Sequence, residues 1–297
     1  MNKTVDDVIL SRSTRGMDKL YARYPQPWCR RAAEAFLALD RGRVFIYTGF
    51  LAGERGETDG PVGAFFLYQG MVKLGWSPMI LTDSCCNGYF SECETLFIEK
   101  GEDDDARLQE ILHRYEPVAH LSIERLGHDG AGQYLNFSGK DLSESTPRLD
   151  HLFELAQTPT FAIGDGGNEV GMGNFAEFLP SLGVTPCVIR SDFPIVASVS
   201  NWGAYGLLAE LERDSGEELL PDFAEVEEYL QKIVSCGAVD GISGKNEMSV
   251  DGKGYLVDCE VLRELREVRQ GDGRQETGER RRETGKSKHT RHIVTTG

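Results

Sequence analysis

The sequence has no apolar run long enough to span a bilayer, so no membrane-crossing helix is expected in it. It has no Cys-x-x-Cys pair, which excludes a zinc ribbon or a thioredoxin-like dithiol. Its seven cysteines are odd in number and irregularly spaced, and they read as reduced thiols of an intracellular compartment. Cys85, Cys86 and Cys93 are better read as buried thiols than as soft metal ligands. There is no excess of positive charge either. The formal net charge is -16, which argues against nucleic-acid binding. The N-terminus, Met1-Asn-Lys-Thr-Val-Asp-Asp-Val, resembles neither a signal peptide nor an Arg-rich transit peptide. The cytosol, or a place inside a longer precursor, is therefore expected. Large apolar residues are nearly missing from 269–297, where eight Lys/Arg face four Asp/Glu. That stretch is expected to be a disordered basic tail, and 1–268 a single domain.

What is present is glycine in dense groups. Thr160 to Ile163 reads as a buried strand and opens into Gly164-Asp-Gly-Gly-Asn-Glu-Val-Gly-Met-Gly173. Packing alone gives little reason for five glycines in ten residues, least of all beside two carboxylates and an amide. A comparable pattern follows Val44-Phe-Ile-Tyr-Thr48. There the loop from Gly49 carries Glu57, Thr58, Asp59 and Gly60 up to Pro61, which suits a first helical position. Asp59 or Thr58 is expected to cap that helix. The loop lacks the Gly-Lys-Ser/Thr of a phosphate-binding Walker motif.

Further strands are expected at Met79–Thr82, Val118–Ile123 and Cys187–Arg190, with 96–98 open between strand and turn. Helices are expected over much of 1–40, then at 62–74, 104–115, 148–156, 176–182, 200–211, 223–234 and 255–268. This alternation predicts an α/β fold. Its sheet should be mostly parallel and helix-covered, Rossmann-like and three-layered, with a helical N-terminal segment. In such folds ligands sit at the strand carboxyl ends. Thr48-Gly49, Asp83, Glu124-Arg125, Asp165 and Asp192 are expected there. A basic, hydroxyl-rich stretch around Arg12, Arg15 and Lys19 is more simply a solvated helix end than an anion site.

Thr48-Gly-Phe, Gly56-Glu-Thr-Asp-Gly-Pro61, the 164–173 run and Ser200-Asn-Trp-Gly203 together resemble the C-terminal domain of D-glutamate cyclase. Val239-Asp-Gly and Ser249-Val-Asp-Gly252 fit the same pattern, and the resemblance covers roughly 1–265. It implies conversion of D-glutamate to 5-oxo-D-proline and water. It also implies mitochondrial residence in animals and a hydro-lyase-like domain in a longer chain.

Site assignments rest on the residues themselves. Asp165, Glu169 and Asp59 are the candidate catalytic groups, because burial tunes carboxylates into acids and bases. Asp165 is expected to be desolvated at the strand end. Glu169 is expected to be ionised in the first turn of a following helix. Thr48, Gly49, Glu57, Thr58, Gly60, Arg125, Gly166, Gly167, Asn168 and Asn201 are the candidate substrate-binding residues, Arg125 and the loop N–H groups as anion holders. Mg²⁺ or Mn²⁺ is the cofactor these carboxylates admit, with Asp83 as a further ligand. No nicotinamide or haem is expected. A dinucleotide enzyme is one competing reading, weakened by Glu169 where a third glycine belongs. A non-catalytic amino-acid-binding partner domain is the other.

Overall fold

The computed structural model describes residues 3–268. Three helices lead: α1 (Val5–Ile9), α2 (Met17–Arg23) and α3 (Trp28–Leu37). Strand β1 (Arg43–Tyr47) follows, then the short hairpin β2 (Leu51–Ala52) and β3 (Arg55–Gly56), and α4 (Pro61–Lys73). Next come β4 (Ser77–Thr82), β5 (Thr95–Phe97), α5 (Asp105–Tyr115), β6 (Ala119–Ile123), α6 (Leu149–Glu154), β7 (Thr160–Gly164) and β8 (Phe193–Val196). The chain continues through α7 (Ser200–Ser215), α8 (Phe223–Ser235) and a hairpin of β9 (Ser249–Val250) and β10 (Lys253–Gly254) into a helix over 255–268. None of the described helices is long and apolar enough to cross a membrane.

Six strands form one parallel sheet in the order β5-β4-β1-β6-β7-β8. Numbered along the chain, that is 3-2-1-4-5-6, the doubly wound order whose switch point lies between β1 and β6. The two-residue period of the strands sorts their side chains into two cores. Val44, Ile46, Ile80, Phe161 and Ile163 face α1, α3, α4, α7 and α8, while Phe45, Tyr47, Met79 and Leu81 face α5 and α6. Helix α4 is apolar on nearly every side because it is packed between the sheet and α7.

The fold class matches the expectation, and three local readings change. Of residues 96–98, Leu96 and Phe97 fall in strand β5 and Ile98 follows its end. The helix expected at 176–182 is a pair of 3₁₀ turns, Gly173–Phe175 and Leu179–Leu182. The strand expected at 187–190 is displaced to β8. Ile189 O instead accepts from Gly171 N and Gly173 N, each at 3.0 Å, so this run braces the glycine-rich turn. Pro194 can sit in β8 because β8 is an edge strand, where a missing N–H matters little. Asp192 therefore precedes its strand and accepts from Thr160 N at 2.9 Å, at the opposite edge of the sheet from the other strand ends. The tail expected over 269–297 lies outside the described residues.

Candidate functional site

The loops after β1, β6 and β7 meet at the switch point. Gly60 has φ +87°, and a Cβ there would lie 2.7 Å from Glu124 Cβ, so glycine lets the first loop close onto the second. Glycine at 60 gives α4 no side-chain cap of its own. The cap comes from Asn201, whose Oδ1 accepts from Gly60 N at 3.0 Å and Gly63 N at 2.8 Å. Asn201 Nδ2 donates to Thr58 O at 3.1 Å. Asp59 reciprocates by accepting from Ser200 N at 2.9 Å and Asn201 N at 2.8 Å at the start of α7. Each helix is thus capped by a residue beside the other's first turn. Asp59 caps α7 and not the helix next to it, and Asn201 is consumed by capping rather than turned to a ligand.

The turn after β7 is not a helix start. Gly167 has φ +114°, a conformation that disfavours any side chain, and Glu169 folds back so that Oε2 accepts from Gly167 N at 2.7 Å. No helix dipole acts on Glu169. Burial dominates and pushes its pKa up, against the Gly167 hydrogen bond. The positive φ in this turn belongs to Gly167 and Gly171, not to Gly166.

Asp59, Glu124 and Asp165 each offer one oxygen, and these atoms all lie within 4.8 Å of one another. Glu57, Glu169 and Asp251 act electrostatically on the same group, and all six residues are buried. Against them stands Arg15, which pairs with Asp165 Oδ1 and, at 2.8 Å, with Asp251 Oδ2. Its charge persists although burial opposes it, because Asp165, Asp251, Glu124 and Glu169 outweigh that penalty. One guanidinium does not balance six carboxylates. Burial and mutual repulsion push Glu57, Glu124 and Asp165 well above the usual carboxylate range and Asp59 to about 7. Glu124 Oε2 accepts from Ser200 Oγ. Asp165 Oδ2 is fully buried and has no hydrogen-bond partner. Glu124 and Asp251 hold φ values of +45° and +52°, rare for non-glycine residues and the kind of backbone strain that functional sites retain.

Sequence reasoning missed Arg15, Glu124 and Asp251 as site residues. Glu124 had a signal in its strand-end position; Arg15 lies 150 residues from Asp165 along the chain and had only its basic, hydroxyl-rich setting. Two expected members belong elsewhere. Arg125 is fully buried and donates to Gly49 O, Pro147 O and, at 2.6 Å, Asp83 Oδ2, so it braces loops and is not open to a substrate anion. Asp83 is that ion-pair partner and also accepts from Cys85 N, so it stands outside the cation-competent trio. Thr48 Oγ1 and Asn168 Oδ1 are buried near these loops without partners. Thr58 Oγ1 donates to Ser249 O at 2.7 Å, tying the first loop to β9.

His128, His151 and Glu154 form a second group with metal-ligand spacing, but the Arg148 guanidinium lies 2.6 Å from His151 Nδ1 and competes with any cation for that ring. A cavity of about 530 Å³ between α4 and the 218–225 turn is lined by none of the clustered carboxylates. A cavity of about 330 Å³ has Glu57 in its wall.

Residues 5–266 match a family described as D-glutamate cyclase-like, C-terminal. The mitochondrial D-glutamate cyclase of Homo sapiens is 28% identical, over 74% of this chain and 44% of the human protein. The chain thus spans less than half the length of that relative.

Proposed function

This chain belongs to the D-glutamate cyclase-like C-terminal family, and from that premise we propose that it is a lyase-type enzyme closing D-glutamate to 5-oxo-D-proline and water. In that reaction the α-nitrogen bonds to the side-chain carboxyl carbon and one carbon–oxygen bond of that carboxyl breaks. The ammonium gives up two protons and the departing oxygen takes up two, so no net proton is exchanged. Such a reaction needs carboxyl groups that accept a proton from nitrogen and return it to oxygen near neutral pH. Raised pKa values suit Asp165 and Glu124 to that relay.

The observation that carries the reading is Asp165. Its Oδ1 is held by Arg15, its Oδ2 is buried and unpartnered, and the residue belongs to the three-carboxylate group. A buried orphan oxygen is destabilising unless a ligand or proton satisfies it. Arg15 keeps Asp165 and Asp251 in place and offsets their repulsion. Glu169 fixes the turn beneath them, and Asp59 sets the walls through its cap on α7. The oxygens of Asp59, Glu124 and Asp165 also fit Mg²⁺ or Mn²⁺, hard cations that take carboxylate ligands. Bound there, the cation would supply Lewis-acid polarisation of a carboxyl oxygen. Glu169 already occupies the Gly167 N–H that a phosphate would use, which weighs against a dinucleotide.

A second reading draws on the length of the human relative: the chain binds the amino acid and needs a further domain for turnover. The name of that relative also supports mitochondrial residence. The deciding experiment incubates the chain with D- and L-glutamate, with and without Mg²⁺ or Mn²⁺, and measures 5-oxoproline by chiral chromatography. D-selective product supports the enzyme. Binding without product supports the partner-domain reading, and neither binding nor product overturns both.

A further inference from the structure

The cavity of about 330 Å³ lies between the β2–β3 hairpin, the 136–142 segment and the 241–244 loop. That volume sits at the lower end of small-molecule sites, which run about 300–1,000 Å³. Two charged side chains line it, Glu57 and Lys140. Glu57 is 6% exposed, and its carboxylate makes no hydrogen bond or ion pair among the described residues. A Cβ at position 241 would fall 2.3 Å from Glu57 Oε2, so Gly241 leaves the carboxylate its place in the wall. The Lys140 ammonium, on the exposed side of the cavity, has no hydrogen bond, ion pair or ring contact among the described residues. Its backbone is fixed, because Asn136 Oδ1 accepts from Lys140 N at 2.8 Å and from Ser138 N.

A buried carboxyl group with no donor, whose ionisation an incoming ammonium would favour, and an exposed ammonium with no acceptor line one small cavity and are together complementary to a zwitterion. We propose that this cavity recognises the α-amino-acid head of the substrate, with Glu57 taking the ammonium and Lys140 the α-carboxylate. The inference rests on the amino-acid reading above and adds to it which substrate group sits where. Ammonium and α-carboxylate share one carbon, so both must be met close together. The side-chain carboxyl, the group that loses an oxygen, is then directed inward. Glu57 is suited to this junction because it belongs to both regions. It lines the cavity, and it acts electrostatically on Asp59, Asp251 and Glu169 in the cluster.

Calorimetric titration of the full chain tests this with three probes: D-glutamate, glutarate (no ammonium) and 4-aminobutyrate (no α-carboxylate). Glu57→Gln should weaken D-glutamate and 4-aminobutyrate by roughly tenfold or more, the scale of a hydrogen bond to a charged group, and leave glutarate unchanged. Lys140→Met, at an exposed position, should weaken D-glutamate by roughly fivefold and leave 4-aminobutyrate unchanged. If wild type binds D-glutamate and neither substitution has this selective effect, the zwitterion assignment is overturned while the enzyme reading stands. If wild type ignores D-glutamate but binds other α-amino acids with the same dependence on both residues, the assignment stands and the cyclase reading falls. If no amino acid binds, both fall.

Discussion

Asp258 offers a test of burial energetics away from the site. It lies on the 255–268 helix, is 2% exposed, and accepts from Trp202 Nε1 at 2.6 Å, which fastens that helix to α7. Burial pushes its pKa from 3.8 to about 7, against the Trp202 hydrogen bond and nearby Lys253. At pH 4 the folded chain keeps the group neutral and the unfolded chain, with its value near 3.8, has ionised only about half of it, so the penalty is still small. Between pH 4 and 7 the unfolded chain ionises while the folded chain keeps its proton, so stability falls as pH rises. Above 7 the folded chain ionises as well and the loss levels off. The interval is about three pH units, each about 1.4 kcal/mol, so the loss is about 4 kcal/mol. Asp258→Asn keeps the oxygen that Trp202 needs and removes the charge. Urea unfolding of both proteins, followed by tryptophan fluorescence, should give a stability difference that is near its minimum at pH 4. By pH 8 it should have grown by about 4 kcal/mol in favour of the variant. A difference that stays flat with pH would refute the claim that the fold holds this carboxyl neutral.

Asn201→Ala removes the acceptor for two buried N–H groups. It should cost about 3 kcal/mol, lowering the thermal midpoint by roughly 6–12 °C in a domain of this size; calorimetry checks it. Asp165→Asn and Glu124→Gln should each reduce 5-oxoproline formation by roughly 10²-fold or more, the scale of a lost proton carrier. Circular dichroism should show both variants folded. A Cβ at Gly166 would stand 2.6 Å from Glu169 Oε1 and 2.9 Å from Asn168 Oδ1, ends of side chains that can shift. Gly166→Ala should therefore depress turnover more than it depresses the unfolding midpoint, and equal losses in both would count against the role given to that turn.

The parallel sheet was readable because β1, β4, β6 and β7 are apolar runs that break into polar, glycine-bearing loops, a pattern that needs no partner to be recognised. β8 was not, since Pro194 interrupts its run and its edge position is a property of the assembled sheet. Asp59, Asp165 and Glu169 stood out through their glycine-rich neighbours. What those carboxylates face was hidden. Arg15 reaches Asp165 across 150 residues of sequence, and Asp83 and Arg125 satisfy each other across 42. Local pattern reports which residues lie at a strand end, not which of them find a partner in the folded chain.

The exchange of caps between α4 and α7 has a kinetic consequence. The hydrogen bonds joining Thr58, Asp59, Gly60 and Gly63 to Ser200 and Asn201 span 138 to 143 residues. Neither helix start can be completed by its own half of the chain, and the closure entropy of that long loop must be met before these contacts form. During synthesis the part of the chain ending just after β6 carries Asp59 and Glu124 before their partners Ser200 and Asn201 have been made. The carboxylates come together only when β7, β8 and α7 dock, so the site matures with the last long-range step of folding. Fragments cut between β6 and β7 would each keep part of the sheet, but neither would hold the constellation.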